Sequence, residues 1–126
     1  MSKAMQEPTF LILTALAEGA RHGYGIISDI ERISDGRTRM RAGTLYAALD
    51  RLQAERLIAS DREEVVDGRL RRYYRLTEDG AAALAAEVEA LRRRTEVAAR
   101  RLAARPRLGD AMFAPLPTGR LSGGLR

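Results

Sequence analysis

Gly43-Thr44-Leu45-Tyr46-Ala47-Ala48-Leu49-Asp50-Arg51-Leu52-Gln53-Ala54-Glu55, with Leu57-Ile58 just beyond it, is the stretch from which the fold of this chain can be read. Leu45, Leu49 and Leu52 recur at the spacing that lines one face of a helix, which predicts a helix over 43–55 with those leucines inward. The opposite face carries Thr44, Ala47, Ala48 and Arg51, with no bulky group to keep the helix out of a groove. Downstream, Asp67-Gly68 lies between two strand-forming runs, 58–66 and 69–76, the signal of a hairpin closed by a two-residue turn. Alternation along the second arm sets Leu70, Tyr74 and Leu76 on one side and Arg69, Arg71, Tyr73 and Arg75 on the other.

Two helices are expected before this stretch. Pro8 suits the start of a helix over 9–18, because its missing N–H would be unpaired there anyway. Phe10, Leu11, Ile12, Leu13, Ala15 and Leu16 cover almost its whole circumference, so it needs cover on several sides, more than one small domain readily provides. Gly23-Tyr24-Gly25 opens a second helix over 24–34, with Ile26, Ile27, Ile30 and Ile33 as its stripe and Asp35-Gly36 as its stop. After the hairpin, Thr77 is placed to cap a long helix over 77–105, which Pro106 ends. Leu84, Val88, Leu91, Thr95, Ala98 and Leu102 recur along it at alternating steps of four and three, a heptad seam diluted by a threonine and an alanine. Gly80, early in this helix, weakens it. The Gly/Pro-rich remainder reads as a disordered tail. The expected division is thus 1–76, 77–105 and 106–126.

Composition narrows the function classes. The chain of 126 residues has a net charge of +5 and no cysteine, which removes disulfides and thiolate metal sites. The longest apolar run, 10–17, is far short of the roughly 20 residues of a membrane span. A cytoplasmic location is the default, and no cofactor, metal or membrane is expected. Charge is unevenly spread: 37–75 hold ten arginines against six acids, 76–91 four acids and no base, and 92–107 seven arginines against one acid. Arginine suits bidentate contact with phosphate and guanine. One histidine, no phosphate-binding loop and no metal-ligand spacing leave no catalytic constellation, so an enzyme is not expected.

The order helix, helix, helix, hairpin, long helix is the layout of a winged helix-turn-helix with a C-terminal dimerisation helix: mainly α, with a small β-hairpin. In that layout the third helix enters the major groove of duplex DNA and the hairpin, or wing, follows the backbone or enters the minor groove. The candidate DNA-binding residues are Tyr24, Arg41, Thr44, Tyr46, Ala47, Arg51, Arg69, Arg71 and Arg72. Arg51 reads guanine or phosphate, or else is a solvated arginine paired with Asp50 or Glu55. Arg69, Arg71 and Arg72 hold phosphates or the minor groove, or else keep the hairpin soluble by pairing with Glu63 and Glu64. Tyr74 reads as core, His22 as a surface residue at a helix start, and Arg92-Arg93-Arg94 as a solvated coiled-coil face, or else as a contact for flanking DNA or an acidic partner. The candidate dimerisation residues are Phe10, Leu13, Leu84, Val88, Leu91 and Leu102.

The run Gly43-Thr44-Leu45-Tyr46, Leu49, Arg51-Leu52, Leu57-Ile58, Gly68-Arg69, Arg71-Arg72-Tyr73-Tyr74, Leu76-Thr77 and Gly80, with His22-Gly23-Tyr24-Gly25-Ile26 before it, resembles the PadR family of bacterial transcriptional regulators, in its short, single-domain branch. The resemblance spans about residues 8–104. It implies a homodimeric repressor on a palindromic operator, released when a small molecule or another signal alters the dimer, with the first helix packed on the partner's C-terminal helix. Two positions depart from the family pattern. Arg56 stands where the family usually has glycine, which extends the helix or strains Arg56, and Arg41-Ala42 replaces a Ser-Pro-like pair before Gly43. A protein-interaction adaptor is the competing use of this layout. A membrane-surface role for the basic helix lacks a bulky aromatic anchor.

Overall fold

The structure, a computed structural model, describes residues 4–107. In chain order the elements are α1 (Glu7–Leu16), β1 (Arg21–His22), α2 (Gly23–Ile33), α3 (Ala42–Ala54), β2 (Ile58–Val66), β3 (Arg69–Leu76) and α4 (Glu78–Ala104). The strands form one antiparallel sheet in the order β1-β3-β2. This is the winged helix-turn-helix expected from the sequence, with the long C-terminal helix in place. Among the described residues, those up to Leu91 form one compact unit and those from Arg92 to Arg107 belong to a second. Residues 108–126, which hold most of the expected tail, lie outside the described residues. No helix among the described residues is long and apolar enough to cross a membrane.

Three helices and the base of the hairpin share one core. Ile12, Leu13 and Leu16 of α1, Ile26 and Ile30 of α2, Leu45, Leu49 and Leu52 of α3, and Ile58 of β2 are all fully buried. Each such side chain contributes about 1.5–3 kcal/mol by leaving water. Tyr74 joins them from β3, as its alternation predicts. One expectation is overturned here. Helix α1 does not need a second chain to cover most of its apolar surface: Leu11, Ile12, Leu13, Ala15 and Leu16 are buried within this chain. Leu13, expected at a dimer contact, is 0% exposed and is a core residue of the protomer. Phe10 is only half-buried.

The hairpin matches its predicted bounds. Asp67 and Gly68 both adopt positive φ (51° and 75°), as a tight turn matched to the strand twist requires. Pairing runs Val66↔Arg69, Val65↔Leu70, Glu64↔Arg71 and Glu63↔Arg72, then slips at a bulge before Ser60↔Tyr74. The two-residue β1 had no sequence signal of its own. It pairs Arg21 with Tyr74 and His22 with Tyr73, so the start of α2 is stitched to the wing.

The junction of α3, β2 and α4 is closed by backbone chemistry. Helix α3 ends with Arg56 N–H on the Gln53 carbonyl (3.0 Å) and Leu57 N–H on the Leu52 carbonyl (3.0 Å). That pair of bonds needs a left-handed residue between, and Arg56 supplies it at φ 63°. The arginine therefore does not extend the helix; it occupies the conformation that favours glycine. The Thr77 hydroxyl donates to the Arg56 carbonyl (2.7 Å) and accepts from Gly80 N–H (3.0 Å), capping α4. Gly80 itself lies on the Leu57 carbonyl, and a Cβ there would also meet Leu76 Cδ1 at 2.8 Å. Its flexibility costs the helix a little, but its lack of a side chain permits the crossing.

Two stability changes follow. Arg56→Gly should raise unfolding free energy by about 1 kcal/mol by relieving the left-handed strain. Gly80→Ala should lower it by about 1–3 kcal/mol, because the obstructing atom is backbone. Urea unfolding of the two variants beside the parent checks both, and a destabilised Arg56→Gly would refute the strain account.

Candidate nucleic-acid interface

One cleft gathers five of the nine candidate residues. Tyr24, Tyr46, Arg69, Arg71 and Arg72 line it together with His22, Gly23 and Leu70, around a volume of about 120 Å³. Its walls are the start of α2, the first turns of α3 and the outer half of β3. Helix α2 begins at Gly23 with no side chain capping it, so its first N–H groups are left for solvent or an anion. Tyr24 stands 66% exposed at the rim. Tyr46 reaches across from α3 until its hydroxyl lies on Gly23, where a Cβ would also sit 2.8 Å from Tyr46 Cζ. Glycine at 23 is thus a requirement of the α2–α3 contact, which the sequence signalled only as a helix start.

Beside the cleft, Thr44 and Ala47 are exposed on α3 and Arg41 is exposed at its N-cap position. Ala48, expected with them, is half-buried against the core. Arg51 is exposed as well, but it is turned toward α1. Its guanidinium donates to the Thr9 hydroxyl (3.1 Å) and lies 3.6 Å from the Glu55 carboxylate. It lines a separate cavity with Thr9, Gln6 and Leu57, away from the five cleft residues.

The arginines differ in what already holds them. Arg72 donates to Glu63 across the hairpin (3.1 Å), and its charged form is reinforced chiefly by that bond. Arg62 pairs with Asp61 and stacks over the Tyr73 ring at 4.0 Å. Tyr73 donates to Glu64 (2.8 Å) and packs against His22 with ring centroids 5.3 Å apart. Among the described residues Arg41, Arg69 and Arg71 have no acid within ion-pair distance, so they are the candidates whose charge is open to an anion. Burial first, then the Arg71 charge, pushes the His22 imidazole below its ordinary value of 6.5, so this cleft residue is neutral near pH 7. Burial likewise raises the Tyr74 phenol.

A model of the transcriptional regulator PadR-like family matches residues 12–86, from the second half of α1 to the first turns of α4. The chain belongs to the PadR-like family of transcriptional regulators. It is similar to the transcriptional regulator Rv3488 of Mycobacterium tuberculosis, at 41% identity over 80 residues, or 64% of this chain and 71% of that protein. Among solved structures it is similar to a PadR family transcription regulator from Clostridium difficile (27% identity, TM-score 0.63, covering 75% of this chain and 96% of that one). It also shares its fold with Bacillus subtilis PadR, solved with operator DNA (23% identity, TM-score 0.59, covering 66% of this chain and 47% of that one).

The remaining candidates lie along α4. Leu84, Val88 and Leu91 are half-buried. In the second unit, described by itself, every residue from Arg92 to Arg107 is exposed, with Leu102 at 64%. Sequence reasoning missed His22 and Gly23 as parts of the PadR-like cleft and Arg62 as the partner of Tyr73. A plain cross-strand count outward from the Asp67-Gly68 turn sets Arg62 opposite Tyr73, so that signal was in the sequence.

The His22 environment has a measurable consequence. The folded chain binds that proton less tightly than the unfolded chain does. The neutral ring therefore contributes stability that is complete above the ordinary histidine value and is lost as pH falls through and below it. Between pH 7 and about 5.5 the urea midpoint of the parent should fall more than that of His22→Gln. Parallel curves for the two would show that the fold does not lower the His22 value below that of the unfolded chain.

Proposed function

We propose that this PadR-like chain is a DNA-binding repressor that acts in the cytoplasm as a homodimer on a palindromic operator. Thr44 and Ala47 at the exposed start of α3 face base edges in the major groove. Tyr24, Tyr46, Arg69 and Arg71 hold a phosphate at the cleft, with the uncapped start of α2 as a further donor wall, and Arg41 holds a neighbouring phosphate. Arg72 joins them by exchanging Glu63 for phosphate. Arg51 supports α3 from the α1 side and is a positioning residue. The observation that carries this reading is the convergence of tyrosines and open arginines on one cleft beside a slim, exposed helix face, in a chain of this family. The same fold holds operator DNA in Bacillus subtilis PadR.

Dimerisation rests on Phe10 and on Leu84, Val88, Leu91 and Leu102 of α4. A small molecule or other signal that alters this dimer interface releases the operator. Two α3 helices fixed by such a dimer read half-sites about one helical turn, ~10 bp, apart.

A gel shift on the DNA just upstream of the chain's own gene tests binding, with selection from a random-sequence duplex pool beside it. Recovery of a palindrome is the expected result, and uniform, sequence-blind binding would overturn it. On that duplex Arg71→Ala should weaken binding and reduce the slope of log affinity against log salt by about 1, because one phosphate contact is gone. An unchanged slope removes Arg71 from the backbone contacts. Leu102→Glu should shift sedimentation toward monomer and weaken operator binding with it. A dimer that survives this change would place the seam elsewhere.

A further inference from the structure

Val65 and Leu70 are two large aliphatic side chains left open to water, 71% and 61% exposed. They are direct cross-strand partners, one pair back from the Val66↔Arg69 pair that flanks the Asp67-Gly68 turn. Paired residues in an antiparallel ribbon project from the same face, so the two form one apolar patch near the wing tip. The hairpin does not need it. The core ends at Tyr74 and Ile58, and the outer ribbon is held by Glu63–Arg72, Tyr73–Glu64 and Arg62–Tyr73 contacts. The patch is also placed, since Leu70 lines the cleft with Tyr24, Tyr46, Arg69, Arg71 and Arg72. Arg69 and Arg71, beside Leu70 in the chain, have no acid within ion-pair distance among the described residues. Arg69 and Arg71 alternate onto the opposite face of the same ribbon, so the outer wing joins an apolar face to a cationic one and fits a partner that is apolar in the middle and anionic at its edges. The minor groove of a duplex has that chemistry: sugar and base surfaces on its walls and floor, a row of phosphates on each lip.

We propose that Val65 and Leu70 form an apolar wedge that seats in the minor groove next to the half-site held by α3, with Arg69 and Arg71 on the flanking phosphates. The proposal rests on the DNA-binding reading above and adds a preference to it. The exocyclic amino group of guanine protrudes into the minor groove and obstructs a wedge, whereas A·T pairs leave the floor open. The wing therefore favours A·T pairs where it lands, without a hydrogen bond to any base.

The test uses the full chain and a duplex that the parent protein itself selects from a random-sequence pool. The double variant Val65→Thr/Leu70→Thr keeps strand-forming residues at exposed positions, so its melting temperature should match the parent. Its affinity, followed by fluorescence anisotropy across several salt concentrations, should fall about tenfold or more with an unchanged salt slope, because apolar burial and not charge is removed. In the parent, G·C pairs at the wing's landing position should weaken binding and inosine·C pairs should restore it, since inosine lacks only that amino group. The double variant should be indifferent to all three. Affinity of the double variant within about twofold of the parent, or a parent blind to inosine, overturns the wedge while leaving operator binding intact. A change in sedimentation with no change in affinity also overturns it, by assigning the patch to contact between copies. Failure of the parent to select any duplex overturns both the wedge and the reading on which it rests.

Discussion

Tyr46 lying on the backbone of Gly23 sets the geometry on which the candidate interface depends. The contact fixes how close α2 and α3 can come, and no side chain larger than hydrogen fits between them. It also spreads the work of one tyrosine over two tasks. The ring closes the space between the helices, while its partly exposed edge forms a wall of the cleft that Tyr24 and the arginines of β3 complete. Because β1 ties His22 to Tyr73, the same short segment that receives Tyr46 is also bonded to the wing. Helix face, helix start and hairpin are thus held in register by a few residues around position 23.

Much of this was legible in the sequence, for physical reasons. The hairpin was read to the residue because Asp67-Gly68 has a conformational requirement that few dipeptides meet, and strand alternation runs outward from it. The inward face of α3 was read because three leucines at helical spacing admit one burial pattern. What failed was sideways placement. A helical wheel separates inside from outside, but Arg51 lies on the flank, and only the position of Thr9 decides that it turns toward α1. Leu13 and the apolar girth of α1 were assigned to a second chain because a sequence shows how much surface wants cover and not how much the chain's own α2 and core supply. The two residues of β1 carry no periodicity at all, and their pairing comes from the tertiary course of the chain.

The electrostatics follow the same division. Counting arginines in 37–75 gives a strongly basic segment, yet the fold neutralises several of them locally: Arg39 on Glu31, Arg51 on Glu55, Arg62 on Asp61 and Arg72 on Glu63. Exposed pairs of this kind add little stability, within about 1 kcal/mol each. Their effect is to leave fewer arginines of this segment without an acid in ion-pair distance among the described residues: Arg37, Arg56 and the three candidate DNA contacts Arg41, Arg69 and Arg71. A family model matching 12–86 covers this entire region, so the pattern lies within the part of the chain that is PadR-like.

At the other end of α3, Arg56, Leu57, Thr77 and Gly80 form a knot in which no flexible linker intervenes. The Arg56 carbonyl takes the Thr77 hydroxyl, the Leu57 carbonyl takes the Thr77 N–H (3.1 Å), and Gly80 rests on that same carbonyl. The last turn of α3 and the first turn of α4 therefore behave as two arms of a crank welded at one pivot. A tilt imposed on the first turn of α4 is handed to the tail of α3 as a rotation about that pivot, with no hinge in between to absorb it.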